Sequence, residues 1–136
     1  MSYKFQNLEI YRLALEYVDL LYAIVEKLPR SEDFNLKSQT TRAGTSIVLN
    51  IAEGSTGQTD AEQTRFLGMA LRSLIETVAC QDLMLRRNYV PDSALVEARE
   101  LGAKLFAKIQ SMRKSLGRSF VGDVSGQRSA VGGRQS

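Results

Sequence analysis

The feature that most constrains this chain is a run of small and polar residues, 39–54, within a stretch of helical spacing. Five polar side chains recur at intervals of three or four residues, which places them on one face of a helix: Gln39, Arg42, Ser46, Asn50 and Glu53. The adjacent face is apolar and includes Leu36, Ala43, Ile47 and Ile51. Because so many side chains here are small, we expect another helix to lie very close to this one.

Hydrophobic periodicity predicts four helices, with bounds near 8–28, 35–55, 59–87 and 91–116. Asn7 is a candidate N-cap of the first helix, and Thr59 with Glu62 is typical of a capping box that opens the third. The connecting segments are short, so consecutive helices should be antiparallel neighbours. The pattern predicts an all-α fold, an antiparallel up-and-down four-helix bundle.

Two helices show how the bundle should pack. The first carries two apolar stripes, one of which includes Leu15 and Tyr22, and this is more apolar surface than one buried face requires. The fourth repeats apolar residues every seven positions, as in helices that cross at shallow angles: Leu95, Ala98, Gly102, Leu105, Ile109, Met112 and Leu116. Residues 1–116 therefore form the predicted bundle. The Gly-, Ser- and Arg-rich tail, 117–136, is predicted to be disordered.

The five polar residues, here called the polar stripe, should face the third helix. A hairpin with its turn near Gly57 brings Arg42 within reach of Glu76, and Glu53 within reach of Arg65. The same hairpin sets small residues against each other: Ala43, Gly44 and Ser46 against Gly68, Ala70 and Ser73. We favour a structural role, in which the polar stripe and its partners Arg65 and Glu76 form a network between helices or subunits. Binding of a ligand or partner is the alternative.

Two longer motifs carry a family resemblance: Leu36-x-x-Gln39-x-x-Arg42-Ala43 with Ser46-Ile47-x-x-Asn50-Ile51-Ala52-Glu53-Gly54, and Arg65-Phe66-Leu67-x-x-Ala70-x-x-Ser73-Leu74-x-Glu76. Together with Asn88-Tyr89-Val90 they resemble the signature of the 23S ribosomal RNA intervening-sequence proteins. Val48, Gly44 and Arg72 depart from that pattern, where proline, alanine and glycine are usual. The resemblance implies a four-helix bundle that assembles into a ring, usually a pentamer, and implies no known catalytic activity.

Charge gives limited support for nucleic-acid binding. The chain has a net charge of +3, and most of the excess lies in the tail. The candidate phosphate-contacting residues are Arg86, Arg87, Lys104, Lys108, Arg113 and Lys114, with Arg118, Arg128 and Arg134 in the tail. Each of the first six also suits an ordinary solvated helix, because cations favour the last turn and form i,i+4 rows. A ring would multiply weak contacts by multivalency.

Catalysis is hard to build from these residues. The chain has no histidine, which removes Ser/His and Cys/His arrangements, and its carboxylates show no metal-ligand spacing. We therefore expect no cofactor and no metal, and we interpret the single cysteine, Cys80, as a small core residue. No secretory signal and no run of about 18 apolar residues is present, so we expect a cytoplasmic protein that does not enter the membrane.

The sequence thus favours a non-enzymatic, homo-oligomeric accessory protein that binds RNA or a nucleoprotein through the phosphate backbone. One alternative is an accessory subunit of a reverse-transcriptase retroelement complex, by similarity to the accessory variability proteins of diversity-generating retroelements. A second is a structural adaptor whose ring binds protein partners. A third, an enzyme using carboxylate-bound metal, is disfavoured by the lack of histidine.

Overall fold

Four α-helices make up the body of the molecule. The computed structural model describes residues 2–56 and 59–124, with side-chain environments through residue 117. The helices are α1 (Glu9–Val25), α2 (Leu36–Gly54), α3 (Asp60–Arg86) and α4 (Val96–Val124), with short 3₁₀ helices at Lys4–Asn7, Arg30–Glu32 and Asp92–Leu95. All regular structure in the described ranges is helical. This confirms the predicted all-α class.

Contacts between the helices fix their directions. Gly54 lies against Phe66, and further from the turn Ser46 is hydrogen-bonded to Ser73, so α2 and α3 run antiparallel. Lys108 pairs with Glu9 and Gly102 lies against Tyr17, so α1 and α4 are also antiparallel. Each helix contacts its neighbours along the chain, and α1 also contacts α4. The four helices therefore form a closed up-and-down bundle, as predicted.

The core consists of the inward faces of all four helices. Its largest fully buried apolar side chains are Tyr17, Leu21, Ile47, Ile51, Leu67, Leu74, Met84, Leu95, Leu105 and Ile109. Burial of one such side chain contributes about 1.5–3 kcal/mol. The predicted seven-residue repeat of α4 is confirmed, since its members are buried or half-buried from Leu95 to Leu116.

Helix termini follow the sequence in some places and depart from it in others. The Thr59 hydroxyl accepts a hydrogen bond from the Glu62 backbone N–H at 3.1 Å, which confirms the predicted cap of α3. The Glu62 side chain, however, pairs with Arg65 instead of reaching back to the cap. The predicted N-cap Asn7 is wrong, because Asn7 ends a 3₁₀ helix and Leu8 holds the cap position of α1.

The end of α3 gives a physical reason for the Asn-Tyr-Val sequence. Asn88 has φ of 61°, a left-handed conformation that asparagine tolerates better than most residues. The N–H of Tyr89 bonds to Met84 O and that of Asn88 to Leu85 O, each at 3.0 Å, which is a Schellman motif. Tyr89 then reaches Glu32 at 2.7 Å, and Val90 enters the core.

The fourth helix is longer than expected. It continues to Val124, although the apolar repeat ends at residue 116. Residues 125–136, the remainder of the predicted tail, lie outside the described part of the chain.

Candidate nucleic-acid interface

The polar stripe of α2 follows the groove toward α3, and its neutral members are joined by hydrogen bonds. Ser73 of α3 donates to the Ser46 hydroxyl at 2.9 Å. Asn50 donates to the Ser46 carbonyl at 2.9 Å and to its hydroxyl at 3.0 Å. Ser46, Asn50 and Ser73 are half-buried. This part of the stripe forms a polar contact between two helices, the arrangement that the sequence favoured.

The remaining members of the stripe point outward. Gln39, Arg42, Glu53, Arg65 and Glu76 are all exposed. Arg65 pairs with Glu62 on its own helix, with 3.0 Å between Nη2 and Oε2, so the predicted pair with Glu53 is not formed. Nor do Arg42 and Glu76 form a salt bridge within the described ranges, and that predicted pair is also absent. Charged ends remain in water because transferring them inward costs several kcal/mol, on the order of the penalty for a buried ion.

The small residues of the two helices serve different contacts from those expected. A Cβ on Gly44 would lie 3.0 Å from Leu21 Cδ1, so Gly44 faces α1. A Cβ on Gly68 would lie 3.0 Å from Arg113 Nη2, so Gly68 faces α4. Only Gly54 brings α2 and α3 into very close approach, 2.9 Å from its ideal Cβ position to Phe66 Cβ. The predicted apposition of Gly44 and Gly68 across the hairpin is therefore wrong.

A buried polar cluster joins α1 to α3, and sequence reasoning missed it. Tyr17 and Thr77 are 0% exposed and Gln81 is 2% exposed. Gln81 Nε2 donates to Tyr17 OH at 2.9 Å. Because the Thr77 hydroxyl hydrogen goes to Leu74 O, the Tyr17 hydroxyl donates to Thr77 Oγ1, at 2.7 Å. Burial raises the pKa of Tyr17, against smaller opposing effects of these two hydrogen bonds. The available signal was Thr77 and Gln81, four apart on the apolar face of α3.

The predicted phosphate-contacting residues do not share one surface. Arg86 and Arg87 are exposed at the end of α3, while Lys114 is exposed about 28 Å away, near the opposite end of the bundle, given 1.5 Å of rise per helical residue. Lys108 pairs with Glu9, at 3.3 Å between Nζ and Oε1. Arg113 is half-buried and donates from Nε to Thr64 O at 3.2 Å. The side chains of Arg118, Arg128 and Arg134 lie outside the described part.

Lys104 lies in an acidic cleft between α1 and α4. This cleft has a volume of ≈ 460 Å³, and its polar lining is Glu16, Asp19, Glu97, Glu100 and Lys104. The surplus of carboxylates gives the cleft a negative potential that repels phosphate. Lys104 and Lys108 are thus placed on the face of the bundle least suited to nucleic acid.

The groups that could support chemistry are few. Among the described residues, no three His, Cys, Asp or Glu side chains converge so as to hold a metal ion. Burial raises the pKa of the Cys80 thiol, with Thr40 opposing the shift through a hydrogen bond, and Cys80 is only 4% exposed. A buried thiol with a raised pKa is a poor nucleophile. In the same part of the chain, no helix has the length and apolar character needed to cross a bilayer.

Comparisons with known proteins agree with this architecture. The model of a family described as 23S rRNA-intervening sequence protein matches residues 6–111. A crystal structure of a protein with unknown function from the S23 ribosomal protein family of Bacteroides thetaiotaomicron aligns with a TM-score of 0.71 at 24% identity, covering 77% of this chain and 98% of that one. At that identity the likeness shows the fold alone. The chain matches no curated protein. The family match spans the whole bundle, and the chain therefore belongs to the 23S rRNA-intervening sequence protein family.

Proposed function

We propose that this protein is a non-catalytic, homo-oligomeric accessory factor that binds the phosphate backbone of RNA. The observation that carries the proposal is a set of exposed arginines on α2 and α3 that stand outside every salt bridge within the described ranges: Arg42, Arg72, Arg86 and Arg87. Guanidinium groups free of carboxylates are available for phosphate, and such contacts dominate sequence-independent binding. The family description, which names 23S rRNA, agrees with this ligand class.

A ring of copies is the second part of the proposal, with a pentamer as the expected assembly. Large apolar side chains on three helices are more than two-fifths exposed: Leu15 at 43%, Tyr22 at 49%, Leu49 at 56%, Ile75 at 53% and Leu83 at 51%. They lie on different sides of the bundle, as two unlike surfaces that meet head to tail would require, and such an interface closes into a ring. A ring also repeats each weak phosphate contact, which raises the total affinity.

The absence of catalysis in this proposal rests on chemistry. The chain has no histidine, and its one thiol is buried with a raised pKa. General acid–base and nucleophilic mechanisms therefore lack their usual groups. A cytoplasmic location is part of the same proposal, since a single cysteine suits a reducing compartment.

Light scattering coupled to size-exclusion chromatography tests both parts. At low salt we expect a particle near five protomers that gains mass when a structured RNA is added, and we expect this gain to disappear as salt rises. The Arg86→Gln/Arg87→Gln double variant should bind RNA less tightly. A matched control, Lys4→Gln/Arg12→Gln, removes the same charge near the start of α1 and should bind like the parent. A particle that ignores RNA at every salt concentration would contradict the proposal, and a monomer would contradict the ring.

A protein-binding adaptor is the second candidate, and one observation favours it. The groove between α3 and α4 has a volume of ≈ 340 Å³ and a mostly apolar lining that includes Ile75, Val78, Ala103 and Phe106. A partner helix could bury this surface, and a reverse transcriptase belongs to this class of partner. Binding through the groove should resist added salt, whereas RNA binding should fall steeply.

A further inference from the structure

A second cleft between α3 and α4 gathers arginines from both helices. It has a volume of ≈ 480 Å³ and is lined by Arg65, Gly68, Met69, Leu71, Arg72 and Arg113. Three of the six side chains are guanidinium groups and none is a carboxylate. We call it the arginine cleft. Like charges gathered in a concave surface focus a positive potential, which attracts anions.

Arg113 is held in this cleft by its surroundings. Its Nε donates to Thr64 O at 3.2 Å, which fixes one edge of the guanidinium. Gly68 provides the space for it, because a Cβ there would lie 3.0 Å from Nη2 and 3.2 Å from Nε. No hydrogen bond or salt bridge from either Nη atom of Arg113 is found within the described ranges. A partly buried, oriented guanidinium with free donors is prepared for an anion, because little side-chain entropy remains to be lost.

The other two arginines differ in how far their charges are balanced. Arg65 is occupied by Glu62, which accepts from Nε at 3.3 Å and from Nη2 at 3.0 Å, and this hydrogen bonding raises the pKa of Arg65. Arg72 is exposed and belongs to no salt bridge of the described residues. The cleft therefore keeps two uncompensated charges, one from each helix, with Arg65 and its carboxylate alongside.

We infer that the arginine cleft binds a phosphate group of the RNA backbone, with Arg72 and Arg113 as its ligands. Two guanidinium forks match the oxygens of one phosphodiester, and such charge-assisted hydrogen bonds are short and strong. The acidic cleft between α1 and α4, of similar size at ≈ 460 Å³, has the opposite charge, so the bundle offers phosphate one of these two clefts. This inference rests on the proposed RNA binding and assigns a site to it that the sequence did not mark as one surface.

Four variants of the full chain test the inference. Arg72→Gln, Arg113→Gln and their double variant remove the proposed ligands. Gly68→Ala keeps every charge and displaces only the Arg113 guanidinium, whose flexible end can move without unfolding the bundle. Arg12→Gln is the matched control, because it removes an exposed arginine from α1. Circular dichroism should show the same unfolding midpoint for Gly68→Ala and the parent.

Fluorescence anisotropy with a labelled single-stranded RNA of mixed sequence measures the effect. The double variant should bind about tenfold or more weakly, and its salt slope should fall by roughly 1.4, the value for two lost contacts on a single strand. Gly68→Ala should weaken binding by a smaller factor, and Arg12→Gln should bind like the parent. If the parent binds RNA and the double variant binds equally well, the cleft inference is overturned while RNA binding stands.

Inorganic phosphate separates the remaining cases. If the parent fails to bind RNA, the proposed function fails, and the cleft is then tested by amide NMR during titration with inorganic phosphate. Shifts at Gly68 and Met69 that vanish in Arg113→Gln support an anion site, and their absence overturns it. A double variant that loses mass in light scattering, with unchanged RNA affinity, would make the cleft a contact between copies and would also overturn the inference.

Discussion

Two polar regions of the bundle differ in where they lie and in what they contain. The buried cluster of Tyr17, Thr77 and Gln81 joins α1 to α3 inside the core, with each side chain 2% exposed or less. The polar stripe lies along the outer groove of α2 and α3, where its charged members are exposed. Neutral groups can satisfy one another by hydrogen bonds, whereas a charge carries a much larger desolvation penalty. The difference teaches that charge, more than spacing, decides which polar residues enter this core.

The largest expected effect comes from removing the aromatic member of the buried cluster. Tyr17→Ala should lower the free energy of unfolding by about 3–5 kcal/mol, because it leaves a cavity in the core and removes a shared hydroxyl. Phe34→Ala is the matched control, since Phe34 is 99% exposed, and should change stability by about 0.5 kcal/mol or less. Urea denaturation at a fixed protein concentration measures both.

Tyr17→Phe separates the hydrogen bonds from the volume. It retains the ring but leaves the Gln81 amide and the Thr77 hydroxyl without a partner, at a cost of about 1–3 kcal/mol. A Tyr17→Phe variant as stable as the parent would show that the cluster contributes volume alone.

The neutral part of the polar stripe should be next in size. Ser46→Ala removes the acceptor of Ser73 and one acceptor of Asn50, and should cost about 1 kcal/mol because the site is only half-buried. Thr45→Ala changes the adjacent exposed residue of α2 and serves as its control. Equal unfolding free energies for the two variants would remove the Ser46–Ser73 contact from the list of stabilising interactions.

A pH profile examines a carboxylate that lies between these two extremes. The Tyr89 hydroxyl, followed by the Leu36 backbone N–H, holds the pKa of Glu32 below its usual 4.5. A lowered folded-state pKa gives stability that is present above the unfolded pKa and is lost as pH falls through the folded one. Tyr89→Phe should therefore be less stable than the parent at neutral pH, with the difference shrinking below 4.5. A difference that grows toward acid in urea denaturation would contradict this assignment.

The smallest effect on the isolated bundle is expected at Arg42. Its side chain is exposed and forms no salt bridge within the described ranges, so Arg42→Ala should change the free energy of unfolding by about 0.5 kcal/mol or less. Light scattering on the same variant tests the other meaning of the stripe. A fall in mass, with Arg12→Ala unchanged as control, would place Arg42 in a contact between copies.

Much of the fold was predictable because its signals are local. Helix periodicity placed the bounds of α2 at 35–55 against the observed Leu36–Gly54, and the Thr59 cap fixed the start of α3. The candidate site was predicted less well. Ser46 and Asn50 do contact each other and α3, but Arg42, Glu53, Arg65 and Glu76 do not form the cross-helix pairs expected. A long charged side chain has many rotamers, so sequence spacing shows what it can reach and not what it contacts.

By itself, the sequence determined four amphipathic helices, their order and the short connections that make them antiparallel, because these follow from periodicity, caps and turn residues along the chain. Only the tertiary structure decided which helix each small residue faces and which polar groups meet. Gly68 makes room for Arg113, 45 positions further along, and Tyr17 meets Gln81 across 64 positions. Such contacts depend on the rotation of each helix about its axis, which is set by the packing of all four helices together.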